Sequence, residues 1–598
     1  MRARAGRTMR GRFALLGVML VALAALLAAP SWAAAEPAPL GHSCTAQNGV
    51  RFCPTATLAQ RVPSFDGVPL DVDVTLPASG EGPFPTIVML HGWGGSKSSF
   101  ETTTPAGDNN VTFDYNNVYY AQHGYAVINY SARGWGNSCG SVESRTTEGC
   151  KEGWIRLADQ RYEARDTQYL LGLLVDEHIA QRAGLGVTGI SYGGGQSIEL
   201  AYLKNRIRLP NGEFEPWRSP KGVALTIKAA YPRWPWSDLV DALMPNGRFL
   251  DSQIAPLGQS FEPVGVEIQS YSTGLYALGA ATGYIAPPGL DPEADLTKWF
   301  GLINAGEPYT LEAEAIAHQI YTYHQGYGLA GPPAPMLLES GWTDDLFPPS
   351  QSLRIYNAAR AENGKVTLQL GDLGHSRGSN KQNTNHAFQE QAASFFAARL
   401  QHIGSAPPSG RVTAYTQTCP QGEPGGGPFT ASSWSKLHPH VITFGSAAAQ
   451  TFTSAGGNPT TAAAFDPIAG TTDACKTVAA ETEPDTANYT TISNGFTLLG
   501  LPTVTATINT TGPFGEIAAR LWDVLPGGQQ RLISRGVYRL GENQTGTIAF
   551  QLHGNGYRVE AGDTVKLQLL GRDAPYYRAS NGSFSVEASN VTVSLPTS

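Results

Sequence analysis

Gly189-Ile190-Ser191-Tyr192-Gly193 carries the clearest chemical potential in this 598-residue chain. A serine hydroxyl is a weak nucleophile and attacks a carbonyl only when a neighbouring base removes its proton. The G-x-S-x-G spacing follows an apolar run over 185–190 and precedes a helical pattern over 194–204. That is the setting of a nucleophile elbow. In such a turn a side chain at either flanking position collides with the backbone, so glycine is required at Gly189 and Gly193. The turn lifts the hydroxyl above the sheet edge and aims a helix N-terminus at a developing oxyanion. The short pattern alone recurs by chance, and a Gly-rich turn burying an inert serine is the plain alternative.

The base must stand past a later strand. His375, in Gly371-Asp372-Leu373-Gly374-His375, follows the last apolar run of the alternating region. The other histidines are less well placed: His91 lies after an early strand, His178 in a helical pattern, and His438, His440 and His553 in the β-rich part. An acid after the preceding strand would accept the imidazole Nδ1 proton and stabilise the imidazolium. Gly341-Trp342-Thr343-Asp344-Asp345 offers two candidates. Asp344 is preferred because it comes first after the turn, with Asp345 as backup. Asp238 is a more distant alternative, and Asp372 is expected to point elsewhere. The oxyanion needs two N–H donors. The backbone of Tyr192 is one, and Trp93 in His91-Gly92-Trp93-Gly94-Gly95 is the expected second. That loop lacks the G-x-x-x-x-G-K-[ST] pattern of a phosphate cradle.

The elements that must position these residues are short apolar runs ending at Gly or polar residues, over 84–90, 126–130, 185–190, 223–230, 335–339 and 366–370, with an alternating strand over 70–76. Helical patterns over 157–181, 194–204 and 385–401 lie between or after them. This order predicts a parallel sheet covered on both faces. The stretch 205–335 exceeds one crossover and reads as an inserted helical cap, about 233–330, whose aromatics mostly form its own core. Ser405-Ala406-Pro407-Pro408-Ser409-Gly410 reads as a linker. After it, runs over 496–509, 517–524, 532–540 and 564–570 alternate with Gly, Pro and Asn turns and predict an all-β jelly-roll sandwich. The expected division is a leader over 1–35, a catalytic α/β domain over 36–404 and a β-sandwich over 411–598.

Composition narrows the class. Arg2, Arg4, Arg7, Arg10 and Arg12 precede an apolar run over 13–29 and Ala33-Ala34-Ala35, which together read as a cleavable signal peptide and hence export. The run is short for a membrane anchor, and no later run is long enough to span a bilayer. The chain has 41 basic and 49 acidic side chains, and removal of the leader makes it more acidic, which excludes a nucleic-acid binder. Six cysteines in an exported chain suggest disulfides, and closeness in sequence favours Cys44–Cys53, Cys139–Cys150 and Cys419–Cys475. No metal-ligand spacing occurs, so no metal or cofactor is expected.

At these motifs the chain resembles the X-prolyl dipeptidyl-peptidase and cocaine-esterase family of serine hydrolases. The resemblance rests on Gly189-Ile190-Ser191-Tyr192-Gly193-Gly194, Gly341-Trp342-Thr343-Asp344 and Gly374-His375. In the β region it rests on Leu521-Trp522-Asp523-Val524 with Gly527-Gly528, then Ser534-Arg535-Gly536. It implies an α/β-hydrolase core, a helical cap and a C-terminal jelly roll, with Ser191, Asp344 and His375 as the triad. It also implies cleavage of an Xaa-Pro dipeptide from a peptide N-terminus, or of an ester. These relatives often place a tyrosine hydroxyl in the oxyanion hole where this chain has Trp93, so a backbone N–H must serve instead. A peptide or an ester is therefore the expected substrate, with oligomeric state open. The reading from a different class is a carbohydrate-binding or adhesion protein that kept the fold without its chemistry.

Overall fold

Runs that lack polar alternation make strands buried on both faces, and alternate residues then serve opposite sides of the sheet. The computed structural model, which describes residues 37–253, 261–326, 328–329 and 331–598, shows this directly. Val88, Leu90 and Ile128 join one hydrophobic cluster, and Ile87, Met89 and Val127 join another. The expected leader lies outside the described residues.

Eleven strands share this sheet among the described residues: β1 (Thr45–Gln47), β2 (Val50–Cys53), β3 (Val72–Pro77), β4 (Phe84–Leu90), β5 (Ala126–Tyr130), β6 (Ala180–Ile190), β7 (Ile227–Arg233), β8 (Met336–Gly341), β9 (Val366–Gly371), β10 (Val412–Thr416) and β11 (Gly426–Ala431). Their order is β1-β2-β3-β5-β4-β6-β7-β8-β9-β10-β11. The run from β5 to β10 is parallel, and both margins are antiparallel. Helices α1 (Glu163–Asp176) and α2 (Tyr192–Leu203) flank β6 in the chain. Between β7 and β8 come α3 (Leu239–Leu243), α4 (Gln269–Thr282), α5 (Leu296–Asn304) and α6 (Leu311–Tyr323), which form the inserted helical region. Helix α7 (Pro349–Ala361) links β8 to β9, and α8 (Gln382–Phe396) follows β9.

The sequence expectations need three corrections. The run expected over 223–230 shifts to β7, because Ser219 and Val223 close a turn (N–H to O, 2.8 Å) before the strand can begin. The catalytic sheet does not stop at the 405–410 linker. β10 and β11 lie beyond it and extend the sheet, because β10 pairs in parallel with β9. The single run over 496–509 is two strands, Ala487–Gly500 and Thr503–Thr511, split at Leu501-Pro502, where proline offers no N–H to a ladder.

Beyond β11, ten antiparallel strands between His440 and Thr597 make the C-terminal β domain with its own apolar core. One of them, β12 (Gln529–Leu540), carries the Ser534-Arg535-Gly536 motif. Val537, Tyr576 and Tyr577 belong to the cluster of the catalytic core, so the β domain packs directly on that core. The disulfides are Cys44–Cys53, Cys139–Cys150 and Cys419–Cys475, the pairing that closeness in sequence favours.

Candidate active site

Ser191 stands between β6 and α2 at φ 58° and ψ −113°, a left-handed, sparsely populated conformation for a residue with a side chain. Its neighbours show why two glycines flank it. A Cβ on Gly193 would sit 2.1 Å from the Leu90 carbonyl oxygen, and one on Gly189 would sit 2.6 Å from that oxygen and from the Gly193 backbone. The Ser191 N–H donates to Arg233 O (3.0 Å), and its carbonyl accepts from Gly195 N as α2 begins.

The expected acid and base leave adjacent parallel strands at the same edge. In the register of β8 and β9, Gly341 faces Gly371, so the loops carrying Asp344 and His375 emerge side by side. His375 Nδ1–H donates to Asp344, with Oδ2 at 2.8 Å and Oδ1 at 2.9 Å. Oδ1 also accepts from Leu346 N and Phe347 N, both at 3.0 Å, which fixes the orientation of the carboxylate. The imidazole lies edge-on to Trp234 and Phe347, at centroid distances of 5.8 and 5.1 Å. Its Nε2 is buried and has no protein hydrogen-bond partner, so the Ser191 hydroxyl does not engage it in this state. Serine–histidine contacts of this kind often tighten only when substrate binds.

The other acids have separate duties. Asp345 is buried and forms a bidentate pair with Arg377, Nε to Oδ2 at 2.8 Å and Nη2 to Oδ1 at 3.1 Å. Asp238 caps α3 through Val240 N and Asp241 N. Asp372 accepts from Thr343 Oγ1 and Ser379 N. His91 is interior as well: Ala132 N donates to its Nε2 (2.9 Å), so Nδ1–H faces Gly92 O, and burial lowers its pKa to about 4.

The two expected oxyanion donors flank the serine. Tyr192 opens α2, and its hydroxyl is already committed, donating to Glu163 Oε2 (2.6 Å) and accepting from Ala158 N (2.7 Å). Only its backbone N–H is left for a ligand. Burial pushes the Glu163 carboxyl up to about 7 against the lowering effect of the Tyr192 hydrogen bond. On the other side, a Cβ on Gly92 would lie 3.7 Å from the Ser191 Cβ, so the Trp93 loop passes beside the nucleophile. The Trp93 indole N–H donates to Leu275 O in α4 (2.9 Å), and its ring packs on Trp135 and Tyr192.

A cavity of about 130 Å³ opens at Ser191. Trp93, Trp236, Leu275, Trp299, Ile320 and Phe347 are among the apolar side chains that line it. Glu267 is the one carboxylate among its described lining residues. The Ser272 hydroxyl donates to Glu267 Oε1, while Oε2 is buried without a partner, and burial raises the pKa. Sequence reasoning missed Glu267, because the Val266-Glu267-Ile268 segment matches no motif and gives no sign that it lines the cavity at Ser191.

A strained serine elbow and a buried His–Asp pair at one edge of a parallel sheet define a serine hydrolase of the α/β-hydrolase class. Family models make this specific. Residues 66–206 match X-Pro dipeptidyl-peptidase (S15 family), and residues 358–591 match the X-Pro dipeptidyl-peptidase C-terminal non-catalytic domain. The chain belongs to the X-Pro dipeptidyl-peptidase (S15) family of serine hydrolases. Among solved structures it is similar to an aminopeptidase from a marine sediment Thaumarchaeota archaeon (13% identity, 92% of this chain and 98% of that one, TM-score 0.59). It is similar to an α-amino acid ester hydrolase (15% identity, 94% and 100%, TM-score 0.59). A CocE/NonD family hydrolase from Staphylococcus aureus is a third (13% identity, 92% and 93%, TM-score 0.58). At these identities the likeness shows the fold alone. No curated protein matches the sequence.

Proposed function

We propose that the protein is an exported acyl-transfer hydrolase that uses Ser191, His375 and Asp344 and acts as an Xaa-Pro dipeptidyl-peptidase. The observation that carries the catalytic part is the His375–Asp344 pair, held at the sheet edge where Ser191 is presented. Ser191 Oγ bonds to the substrate carbonyl carbon as His375 Nε2 takes its proton, and the N–H groups of Tyr192 and Trp93 receive the oxyanion. The carbon–nitrogen bond then breaks, and the leaving amine takes the proton from His375. Water adds to the acyl-enzyme in the reverse sense and releases a free acid and the serine hydroxyl. The cavity supports the peptidase reading. Its apolar wall suits a proline ring, and Glu267 is the group available to face an N-terminal ammonium. An incoming cation would ionise that carboxyl despite its burial. Carboxylic-ester hydrolysis is the second reading, favoured by how little of the cavity is polar. The signal-like leader and three disulfides support an extracellular site of action.

Fluorophosphonate labelling of wild type and Ser191→Ala tests the nucleophile. The wild type is expected to label, and the variant to stay unlabelled with a turnover loss of about 10³-fold or more. An unlabelled wild type would leave the adhesion alternative standing. Ala-Pro-nitroanilide with a free and an acetylated amine, beside short acyl nitrophenyl esters, tests the substrate. Peptidase action requires cleavage that acetylation abolishes and Glu267→Gln weakens. Ester turnover alone, indifferent to Glu267, would select the second reading.

A further inference from the structure

Two neighbouring aspartates leave the same turn and face opposite ways. Asp344 meets His375. Asp345 meets Arg377, two residues beyond His375, and both partners are at most 3% exposed. The loop bearing the acid and the loop bearing the base are therefore tied twice, once by the reacting pair and once by a charge pair that touches no reacting atom. The second tie continues into the β domain. Arg535 Nε of β12 lies 4.0 Å from Asp345 Oδ2, and His553 Nδ1 lies 3.8 Å from Oδ1. The Tyr576 hydroxyl donates to the Asp345 carbonyl at 2.5 Å, and the Arg535 guanidinium stacks 4.3 Å over the Tyr576 ring. Arg535 is anchored in turn through Nη2 to Phe465 O (2.6 Å).

We infer that Asp345, Arg377 and Arg535 form a positioning clamp through which the C-terminal β domain sets the relative placement of Asp344 and His375. The inference rests on the proposed roles of those two residues. Burial alone would raise the Asp345 carboxyl, but Arg377 and Arg535 hold it well below the usual carboxylate range. It thus stays charged, and the clamp stays closed, throughout the working pH range. The geometry also gives the Ser534-Arg535-Gly536 motif a task. A surface contact between domains could use any apolar patch, whereas Arg535 reaches a buried carboxylate one residue from the triad acid. A shift of about 1 Å in a catalytic group is enough to cost about 10²-fold in rate.

The test uses the full mature chain and a nitrophenyl ester that the wild type turns over, with active sites titrated by fluorophosphonate. Asp345→Asn, Arg377→Gln and Arg535→Gln are compared with the charge-keeping Arg377→Lys and Arg535→Lys. Since a single charge removal leaves buried partners uncompensated and threatens folding, the Asp345→Asn/Arg377→Gln double variant is the second arm. The clamp predicts kcat per titrated site down by about 30-fold to 100-fold with KM within about threefold. It predicts a displaced pH–rate profile, because His375 is no longer held on its acid. It also predicts partial recovery in the lysine variants, and a double variant no worse than the worse single. A kcat per titrated site within twofold of wild type in any folded charge-removal variant overturns the inference. So does a loss confined to the titre with the pH profile unmoved. A wild type that fails to react with the probe defeats the Ser191 reading instead, so the two failures are distinguishable.

Discussion

Asp344→Asn tests the proposed triad acid against its neighbour, and its effect follows from the hydrogen bonds at that carboxylate. Oδ1 accepts from Leu346 N, Phe347 N and the His375 ring, whereas Oδ2 faces only the His375 Nδ1. An amide has one acceptor and one donor end. Its oxygen must take the Oδ1 place, since an NH₂ there would oppose two backbone N–H groups. The amide nitrogen then points at Nδ1, 2.8 Å away along the present Oδ2 direction. The imidazole can answer only by accepting at Nδ1, which moves its proton to Nε2. A ring protonated at Nε2 cannot take the Ser191 proton. The same tautomer error in a Ser-His-Asp triad costs about 10⁴ in kcat, or about 5 kcal/mol of transition-state stabilisation. Both backbone bonds survive and the amide still bonds Nδ1, so the fold should lose only about 1 kcal/mol, the difference between a charge-assisted and a neutral hydrogen bond. The assay is kcat on a nitrophenyl ester per folded molecule, beside a urea melt. A kcat within tenfold of wild type, with the melt unchanged, would refute the assignment of Asp344 and with it the tautomer argument.

Two further outcomes follow from the elbow and its support. Gly193→Ala places a Cβ 2.1 Å from a carbonyl oxygen of β4, in rigid backbone, so at least about 3 kcal/mol of stability should disappear; a urea midpoint close to wild type would contradict that contact. Glu163 titrates near 7 in the fold and near 4.5 when unfolded, because burial disfavours its charge. Between these values the unfolded chain gives up its proton first, so the Glu163 contribution to stability falls by about 1.4 kcal/mol per pH unit as pH rises through that window, and stays level above it. Glu163→Gln removes this slope and should gain about 3 kcal/mol relative to wild type between pH 4.5 and pH 8. Parallel stability–pH curves for the two proteins would place the Glu163 titration elsewhere.

Much of the architecture was legible because backbone periodicity and burial are local properties. The runs over 84–90 and 126–130 coincide with β4 and β5, since a strand buried on both faces has no polar alternation to blur its ends. The Ser191 elbow was legible because its two glycines stand at fixed offsets from the serine, although the carbonyl they make room for, that of Leu90, belongs to the neighbouring strand β4. The sheet margin was not. Nothing in the segments 412–416 and 426–431 says whether they add to the sheet before them or begin the domain after them. That choice belongs to β9, whose edge accepts β10 in parallel. The cavity was illegible too, because Glu267 comes to line the same cavity as Ser191 only through the packing of the inserted region.

Asp344 and Asp345 show where such reading ends. Both follow the same glycine turn, both are buried carboxylates, and composition gives no reason to prefer one. What separates them is direction. One residue step through the turn reverses the side chain, sending one carboxylate toward the imidazole and the next toward Arg377 and the β domain. The environments then differ: backbone N–H groups and a histidine around the first, two guanidinium groups around the second. An acid compensated by two fixed cations is a poor partner for an imidazolium that must appear and vanish in each turnover, because its charge is already spent. An acid held only by neutral donors keeps its field for the histidine. The family's β domain supplies one of those two cations through Arg535, so the split between adjacent aspartates depends on a residue nearly two hundred positions away, about 190 by the numbering.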